Sequence, residues 1–389
     1  MNSLTSSSGI NVHLYPSPLL HEARMGRICR AIAGLGVFDR VEMMGVHREG
    51  LPSMETKDGV EMRRLPRRHW GGPGVFRKLV QTVHWSRNVL GALRRENLRC
   101  VNSHSLAVLP LGVALKFLHG ARLVYDTHEL ETEVSTSRGP VRWLYKLMER
   151  AFIRWADEVI VVSDSIAEWY ARTYNIKRPL VVRNLPDTPA NPALPNQQLW
   201  RERFGIPAGH MIFIYQGGLF TGRRIEQLLR VFAQAQPDRH VIFMGYGALE
   251  ERVRSAAASF PNIHYAPAVP PAEVLRHTAA ADVGLVGVEN VCLSYFYSLP
   301  NKLMEYLLAG LPALMPDYPE MTKVAEATAC GWTIGESDAE WLDAINRLDW
   351  TAVSAAKAQA RAAGGGFSWQ EEKEKLQTGY AAVFSRQAA

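Results

Sequence analysis

The sequence predicts an α/β protein that contains two doubly wound domains of parallel strands. Short apolar strands alternate with amphipathic helices through the first half of the 389-residue chain, a pattern typical of parallel sheets that are covered on both faces. A Pro- and Asn-rich stretch, 184–198, interrupts the pattern, and the same alternation then restarts. No sequence repeat links the two halves, so we predict a duplication of architecture alone.

The domain boundaries follow from these breaks. We place the first domain at residues 1–185, a linker at 186–208, the second domain at 209–365 and a final helical segment at 366–389. Strands of the first domain are predicted at 9–15, 40–46, 60–65, 99–105, 121–128 and 157–164, with helices near 20–35 and 75–96. Strands of the second domain are predicted at 211–218, 240–247, 263–269, 282–288 and 312–317. A helix at about 368–386 ends the pattern.

The composition excludes several classes of protein. A hydrophobic content of 47% and a charged content of 21% are typical of a soluble globular chain. The four cysteines are scattered, with no C-x-x-C pair, which argues against a disulfide framework or a zinc site and favours a reducing cytosol. The N-terminus has no secretory pattern, and the longest apolar run, 106–115, is too short to span a bilayer. We therefore expect a cytoplasmic protein.

The positive charge is concentrated in the first half. Residues 1–180 hold 26 Lys+Arg against 17 Asp+Glu, and residues 181–389 hold 18 against 21. The segment 63–99 has ten basic residues and one acid and is interleaved with Trp70, Phe76, Trp85 and Leu90. Such a segment can bind an anionic membrane surface, each basic residue adding ~1 kcal/mol; the alternative is a solvated helix face. Nucleic acid is not an expected partner, because no DNA- or RNA-binding module accompanies the charge.

Glycine-rich turns at the ends of two strands indicate an anion site in the second domain. Gly217 and Gly218 lie between a strand and a helix, where backbone and helix N-terminus favour a phosphate. Either Arg223 or Arg224 can bind the same group bidentately. The next strand ends in a second such turn, Gly245–Tyr246–Gly247.

The segment 297–312 carries a second signal. Pro300 favours a helix start, and Lys302 and Glu305 share its N-terminal end. The lysine can meet a phosphate and the glutamate can accept the two hydroxyls of a ribose. The alternative is a surface ion pair, worth a few tenths of a kcal/mol.

Several ordered segments resemble the GT-B glycosyltransferases of family 4. They are LVYDTHELE, MERAFIRWADEVIVVSDSIAEWY, VVRNLPD, YQGGL with GRRIEQLL, MGYGALEERV, AAADVGLVGVEN, SLPNKLMEYLLAGLPAL and FSWQEEKEKLQTGYAAVF, between about residues 100 and 385. The resemblance implies two Rossmann-like domains that face each other across a cleft, with the last helix crossing back to the first domain. It also implies a nucleotide-diphosphosugar donor in the second domain, an acceptor in the first, retention of configuration and no metal.

The resemblance also assigns residues. Glu305 matches the ribose-binding glutamate, and Arg223 matches the basic residue on the donor diphosphate. The turn that holds the distal phosphate corresponds to Ser298, Leu299, Asn301 and Lys302. His128, within Asp126–Glu129 (DTHE), matches the histidine that faces the donor sugar across the cleft, and its neighbour Glu129 is a further candidate. The alternative for His128 is a core histidine.

One position departs from the family pattern. Members often have a second glutamate eight positions before the ribose-binding one, and Tyr297 stands there. Either Asn290 or Glu289 grips the sugar instead, which we favour, or catalysis is impaired. From their positions, His104 and Arg24 are candidates for the acceptor site.

The sequence thus predicts a glycosyltransferase that moves a sugar from a nucleotide donor, with UDP favoured, to a glycan, a lipid-linked saccharide or another hydroxyl. No D-x-D triplet occurs, so no metal is expected. We expect the protein in the cytoplasm, with the inner membrane face as an alternative location. The other functions considered are a catalytically silent nucleotide-sugar-binding protein and a nucleotide-sugar epimerase. An NAD-dependent oxidoreductase is not expected, because neither half of the sequence has the dinucleotide-binding motif G-x-G-x-x-G.

Overall fold

The computed structural model describes residues 9–20, 22–67, 74–137, 139–186, 197–364 and 366–385. The chain divides into two compact units. Unit 1 comprises Met1–Arg183 and Glu372–Ala389, and unit 2 comprises Asn184–Glu371. Each unit holds a largely parallel sheet with helices, so the predicted fold class is confirmed.

The sheet of unit 1 has the strand order β3-β4-β2-β1-β5-β6-β7-β8. The strands are β1 (Ile10–Leu14), β2 (Arg40–Val46), β3 (Met54–Lys57), β4 (Val60–Leu65), β5 (Leu98–Ser103), β6 (Arg122–Asp126), β7 (Glu158–Val161) and β8 (Leu180–Val181). The helices are α1 (Ala23–Ala33), α2 (Gly74–Leu93), α3 (Leu109–His119), α4 (Gly139–Phe152), α5 (Asp164–Tyr174) and the C-terminal α15 (Trp369–Ser385). Strand order reverses beside β1, the kind of point at which open α/β sheets bind ligands.

One strand of unit 1 differs from the predicted parallel arrangement. β3 pairs antiparallel with β4 as a hairpin at the edge of the sheet. The two residues of its turn, Asp58 and Gly59, both have positive φ (50° and 77°). This is the backbone that an Asp-Gly pair favours in a two-residue hairpin turn.

The basic segment 63–99 does not form one surface. Its described residues are distributed over β4, α2 and β5. Trp85 is buried and donates from Nε1 to the carbonyl of Gly45 over 2.8 Å, and Arg64 is buried with its Nε bonded to the carbonyl of Pro18. Trp70 and the side chain of Phe76 lie outside the described residues. The prediction that this segment binds a membrane is therefore wrong for Trp85 and Arg64, because both side chains stabilise the core.

The sheet of unit 2 has the strand order β11-β10-β9-β12-β13-β14, and all its described pairings are parallel. The strands are β9 (Met211–Gly218), β10 (Arg239–Tyr246), β11 (Ile263–Pro267), β12 (Val283–Leu285), β13 (Ala313–Pro316) and β14 (Gly331–Ile334). The helices are α6 (Leu199–Phe204), α7 (Ile225–Phe232), α8 (Glu250–Ser259), α9 (Val274–Thr278), α10 (Leu293–Phe296), α11 (Asn301–Leu308), α12 (Pro319–Thr328), α13 (Asp338–Arg347) and α14 (Trp350–Gly364).

The predicted linker, 186–208, contains part of unit 2. Helix α6 lies within it, and Trp200 of this helix is fully buried and donates to the carbonyl of His277 over 2.8 Å. Ile206 is also buried in the core of the unit. The linker boundary was misplaced because α6, with 6 residues, is too short to show a helical period. Residues 187–196 lie outside the described residues.

A row of three histidines lies across the amino ends of three strands in unit 2. His210 Nδ1 is 2.9 Å from His240 Nε2, and His240 Nδ1 is 3.0 Å from His264 Nε2. Burial, followed by the neighbouring His264 and His210, lowers the pKa of His240 to about 4, and burial also lowers the pKa of His264 to about 4. The imidazoles of His240 and His264 are therefore neutral near pH 7.

The C-terminal helix α15 packs on the other elements of unit 1. Gln377 donates from its amide to the carbonyl of Ala31 over 3.0 Å, and the hydroxyl of Tyr380 donates to Asn102. The backbone N–H of Arg183 donates to Glu372 Oε2 over 2.8 Å. The last part of the chain therefore completes unit 1.

Among the residues that the structure describes, no helix has both the length and the apolar character that a bilayer crossing requires.

Candidate functional site

The carboxyl ends of β9 and β10 in unit 2 carry the predicted glycine turns. Gly217 has φ 112°, a conformation that disfavours side chains, and the space where its Cβ would lie is open. A Cβ on Gly218 would lie 2.7 Å from the ring of Phe220. Gly217 is therefore the glycine at which a ligand can approach the backbone.

The second glycine turn has a different cause. A Cβ on Gly245 would lie 1.9 Å from the carbonyl oxygen of Gly217, and one on Gly247 would lie 2.3 Å from that of Leu219. Tyr246 between them is mostly exposed. Gly245 and Gly247 are thus required by the neighbouring backbone, which corrects the prediction that they make room for a donor phosphate.

Arg224 is a structural residue, contrary to its prediction as a donor ligand. Its backbone is left-handed (φ 55°), which turns the side chain into the unit, where it is buried. Its Nε donates to the carbonyl of Val288 over 2.7 Å. The two terminal nitrogens donate to Gln227 Oε1, Tyr318 OH, the carbonyl of Glu336 and the carboxylate of Glu336. All five N–H groups are thereby used, and none remains for a phosphate.

Arg223 and Lys302 form a pair of cations beside two tyrosine rings. The guanidinium carbon of Arg223 lies 4.8 Å from the ring centre of Tyr295, and Lys302 Nζ lies 3.7 Å from that of Tyr215. Burial, followed by the charge of Arg223, holds the pKa of Lys302 well below its ordinary value, although Glu305 opposes the shift. Two like charges so close favour the arrival of an anion.

Glu305 is held by a chain of polar side chains that sequence reasoning missed. The amide of Gln216, at the end of β9, donates to Glu305 Oε2 over 2.5 Å. The hydroxyl of Thr278 donates to the amide oxygen of Gln216. Gln216 and Thr278 are buried, while Glu305 is only half-buried. The carboxylate is therefore fixed in orientation at the edge of the sheet.

Helix α11 is fixed against the sheet by Tyr306. Its hydroxyl lies 3.1 Å from the carbonyl oxygen of Ile214 on β9 and 3.0 Å from that of Leu285 on β12. A Cβ on Gly284 would lie 2.5 Å from the Tyr306 ring, so this glycine permits the contact. The N-terminus of α11, with Asn301 and Lys302 in its first turn, is thereby positioned beyond the ends of both strands.

The turn before α11 agrees only in part with the resemblance. The backbone N–H of Ser298 donates to the carbonyl of Tyr295 over 3.2 Å, and its hydroxyl donates to the same carbonyl over 2.7 Å. Ser298 therefore does not present its N–H to a phosphate. Leu299 packs on the core, and Asn301 Oδ1 accepts from Asn184 over 3.1 Å. In the first turn of α11, the N–H of Leu303 donates to the carbonyl of Pro300 over 3.0 Å, so the N–H groups of Asn301 and Lys302 are the donors that this turn offers.

A cavity of about 510 Å³ lies beside the N-terminus of α7. Arg224, Arg230, Glu289, Asn290 and Glu336 are among the residues that line it. Glu289 Oε1 accepts from the backbone N–H of Arg224 over 3.1 Å, so this carboxylate caps α7. The cap accounts for Glu289 without a bound sugar.

Unit 1 contains a buried cluster around Asp126, at the end of β6. Asp126 Oδ1 accepts from Arg24 Nη2 over 3.0 Å, and Asp126 Oδ2 lies 3.1 Å from His104 Nδ1 and 3.7 Å from His128 Nε2. His104 Nε2 lies 2.7 Å from His13 Nδ1 on β1. Among these residues His128 is the exposed one, with 31% of its side chain accessible.

The electrostatics of the cluster follow from its partners. Burial alone would raise the pKa of Asp126, but Arg24, His104 and His128 reverse the shift and hold that pKa well below its ordinary value. Burial lowers the pKa of His104. Burial, followed by the charge of His104, holds the pKa of His13 well below its ordinary value. The cluster is therefore built around an ionised carboxylate and neutral buried imidazoles.

Two acceptor-site predictions are corrected by this geometry. Arg24 is buried and also donates from Nη1 to the carbonyl of Val182 over 2.9 Å, and His104 is buried between His13 and Asp126. Both support the cluster from within.

Sequence reasoning also missed Glu131. Burial, followed by the charges of the nearby Glu149 and Glu129, raises the pKa of Glu131 to about 8. Glu129 itself is exposed.

The same cluster has ligand-type atoms at a spacing that suits a metal. One atom each from His104, Asp126 and His128 lies within 4.8 Å of the others. Asp126 Oδ1 already bonds Arg24, whereas the buried Oδ2, which faces His104 and His128, has no hydrogen-bond partner among the described residues. That no metal is needed stays a prediction.

Comparison with protein families matches both units. Residues 21–186 match the family described as glycosyl transferase 4-like domain, and residues 196–349 match the family described as glycosyl transferases group 1. No curated protein sequence matches the chain.

Solved structures share the fold at low sequence identity. Sucrose-phosphate synthase from Thermosynechococcus elongatus is 15% identical, with a TM-score of 0.80 over 97% of this chain and 100% of that one. Anabaena HepE, solved in complex with UDP-glucose, is 13% identical, with a TM-score of 0.69 over 96% and 100%. WaaG, a glycosyltransferase involved in lipopolysaccharide biosynthesis, is 17% identical, with a TM-score of 0.65 over 95% and 98%. The chain therefore belongs to the GT-B glycosyltransferases that join a glycosyl transferase 4-like domain to a glycosyl transferases group 1 domain.

Proposed function

We propose that this protein transfers a sugar from a UDP-linked donor to a hydroxyl acceptor, with retention of configuration and without a metal. The observation that carries the proposal is the pair Arg223 and Lys302 beside the open turn at Gly217 and the fixed carboxylate of Glu305. The structure of HepE in complex with UDP-glucose, on the same fold, supports the choice of nucleotide.

The cations act on the leaving group. Cleavage of the glycosyl–phosphate bond develops negative charge on the departing diphosphate. Arg223, Lys302 and the backbone N–H groups of Asn301 and Lys302 stabilise that charge because they are fixed before the reaction. With two cations in place, the diphosphate needs no divalent metal.

Glu305 binds the ribose of the donor. An ionised carboxylate is an acceptor only, so it pairs with the two hydroxyls of a ribose. The Gln216 amide bonds Oε2 and sets the plane of the carboxylate. We assign His128 and its neighbour Glu129 as the catalytic candidates of unit 1, with the Asp126 cluster holding the His128 ring in position.

The acceptor is the hydroxyl of a glycan, a lipid-linked saccharide or a small molecule. In a retaining mechanism on one face of the sugar, the leaving phosphate takes the acceptor proton. No separate general base is then required.

The proposal is tested by thermal shift with UDP-, GDP-, ADP-, TDP- and CMP-linked ligands, in the presence and absence of EDTA. We expect stabilisation by the UDP class alone, insensitive to EDTA and lost in Glu305→Ala, since ligands that bind the native state raise its melting temperature. Stabilisation by another class would overturn the choice of UDP. No stabilisation by any class would overturn the donor site.

A second function is favoured by one observation. Tyr297 stands where relatives carry a sugar-contacting glutamate, and the N–H of Ser298 is already bonded. A silent nucleotide-sugar-binding protein would show the thermal shift but neither transfer nor slow hydrolysis of the donor. Release of free UDP from a UDP-sugar separates the two.

A further inference from the structure

Helix α4 of unit 1 has an unusual distribution of side chains. Its outward face carries Trp143, Leu144 and Leu147, which are 67%, 55% and 49% exposed. Its inward face carries Glu149, which is fully buried. A surface helix normally buries its apolar face and exposes its charges. Helix α4 departs from this on both faces, since its stripe of Val141, Tyr145, Met148 and Phe152 is only half-buried, three large apolar side chains are exposed and one charged side chain is buried.

The rotation of α4 is set by polar contacts. The carboxylate of Glu149 accepts hydrogen bonds from Tyr125 (2.7 Å), Tyr170 (2.8 Å) and Tyr174 (2.6 Å). The helix cannot turn its exposed apolar face inward without breaking all three bonds and leaving three buried tyrosine hydroxyls without this acceptor. The exposed tryptophan and leucines are therefore a stable feature of the surface.

The apolar surface continues beyond the helix. Phe117 and Leu118, at the end of α3, are both exposed. The ring of Phe117 lies edge-on to that of Trp155, with centroids 5.1 Å apart, and Trp155 follows α4 in a 3₁₀ turn. We call the six residues Phe117, Leu118, Trp143, Leu144, Leu147 and Trp155 the α3/α4 patch. Six exposed large apolar side chains on two helices that pack together, and on the turn that follows them, mark an interaction site.

A stripe of positive charge borders the patch. Residues 139–155 contain Arg142, Lys146, Arg150 and Arg154, and Glu149 is their one acid. Arg142 and Lys146 pair with the buried Glu133. Arg150 and Arg154 are exposed, and neither forms an ion pair with a carboxylate in the part of the chain that the structure describes. Helical spacing places Arg142, Lys146 and Arg150 in one row beside Trp143 and Leu147.

We propose that the α3/α4 patch docks on an anionic lipid surface. Tryptophan and leucine side chains enter the boundary between head groups and acyl chains, and flanking arginines and lysines bind the anionic head groups. A second copy of the chain fits less well, because a twofold contact between identical patches would bring the two basic stripes together. The proposal is independent of the donor site in unit 2.

The test is vesicle flotation of the full chain with phosphatidylcholine vesicles that contain or lack phosphatidylglycerol. We compare the wild type with Trp143→Ser/Leu147→Ser and with Arg150→Glu/Arg154→Glu. Leu79→Ser/Val83→Ser on α2 is the matched control, since these two residues are 57% and 52% exposed outside the patch. Melting temperature and UDP-induced thermal shift report the fold and the donor site separately.

We expect flotation with the anionic vesicles, reduced at least roughly fivefold in both patch variants and unchanged in the control. Absence of wild-type flotation, or equal flotation of the patch variants and the wild type, would overturn the proposal. If the wild type is instead a dimer in solution and Trp143→Ser/Leu147→Ser is a monomer, a second copy covers the patch and the lipid assignment is wrong.

Discussion

The amide of Gln216 donates to the carboxylate of Glu305 over 2.5 Å, although the two residues are 89 positions apart in the chain. One side chain ends strand β9 and the other lies on helix α11. Their bond links the first glycine turn of unit 2 to the helix that follows Pro300. The proposed ribose-binding group is thus positioned by a residue that makes no proposed contact with the donor.

Replacing Gln216 by leucine tests this positioning. The change removes one hydrogen bond to a charged group, worth ~1.5–3 kcal/mol, so we expect donor affinity to fall by about tenfold or more. Titration of UDP by calorimetry measures the effect. Thr278→Val is the milder comparison, because it leaves the bond between Gln216 and Glu305 in place and removes the hydroxyl that bonds Gln216 and the carbonyl of Val274. Equal affinity in Gln216→Leu and wild type would show that Glu305 does not need this support.

Lys302 predicts proton uptake when the donor binds. Its pKa lies well below the ordinary value because of burial and Arg223, and an adjacent diphosphate would raise it again. At a pH between the free and bound values of the pKa, binding therefore takes up a proton, and affinity falls as pH rises. Calorimetry in two buffers of different ionisation enthalpy measures the uptake. Lys302→Met removes the titrating group, so persistence of the uptake in this variant would contradict the assignment.

Arg223 and Arg224 predict opposite phenotypes for the same substitution. Arg224→Gln removes the partner of a buried polar network, and we expect a loss of ~3 kcal/mol or more of unfolding free energy. Arg223→Gln removes a half-buried cation beside Tyr295, so donor affinity falls while the melting temperature stays within a few degrees. Chemical denaturation and UDP binding measure the two effects. If Arg223→Gln is instead the destabilised variant, the assignment of Arg224 to the fold and of Arg223 to the donor is wrong.

The histidine row of unit 2 predicts a loss of stability in weak acid. The folded pKa values of His240 and His264 are about 4, below the unfolded value of 6.5. Each histidine therefore contributes stability that is complete above pH 6.5 and is lost as pH falls toward 4. His210, His264, Arg201 and Asp238 are the groups that act on His240. Urea unfolding between pH 7.5 and 4.5 measures the slope, and His240→Asn is expected to flatten it.

The sequence predicted most strands of both sheets because apolar runs and glycine turns mark them directly. It missed β3, although the Asp58–Gly59 pair between alternating residues is a hairpin signal. It missed the helix α4 because apolar and charged residues occur on both of its faces, with Glu149 inside and Trp143 outside. Periodicity cannot show which face of such a helix is buried.

The candidate site was predictable to a lesser extent. Lys302 and Glu305 lie together at the start of α11, as their spacing indicates, but the sequence could not separate Arg223 from Arg224. The left-handed backbone at Arg224 sends one of two adjacent arginines inward. The sequence likewise predicted Gly245 as part of a ligand-binding turn, whereas the carbonyl oxygen of Gly217 on the neighbouring strand leaves no room for a side chain at this position. Both distinctions depend on contacts between elements distant in the chain.

The return of helix α15 to unit 1 has a consequence for biosynthesis. Unit 2 is encoded without interruption, from Asn184 to Glu371, whereas unit 1 awaits residues from Glu372 onward. On the ribosome the second unit is therefore complete before the first, and the buried Tyr380 is translated after all of unit 2. A premature stop a few codons before this residue would leave unit 2 whole and remove from unit 1 the hydroxyl that bonds Asn102.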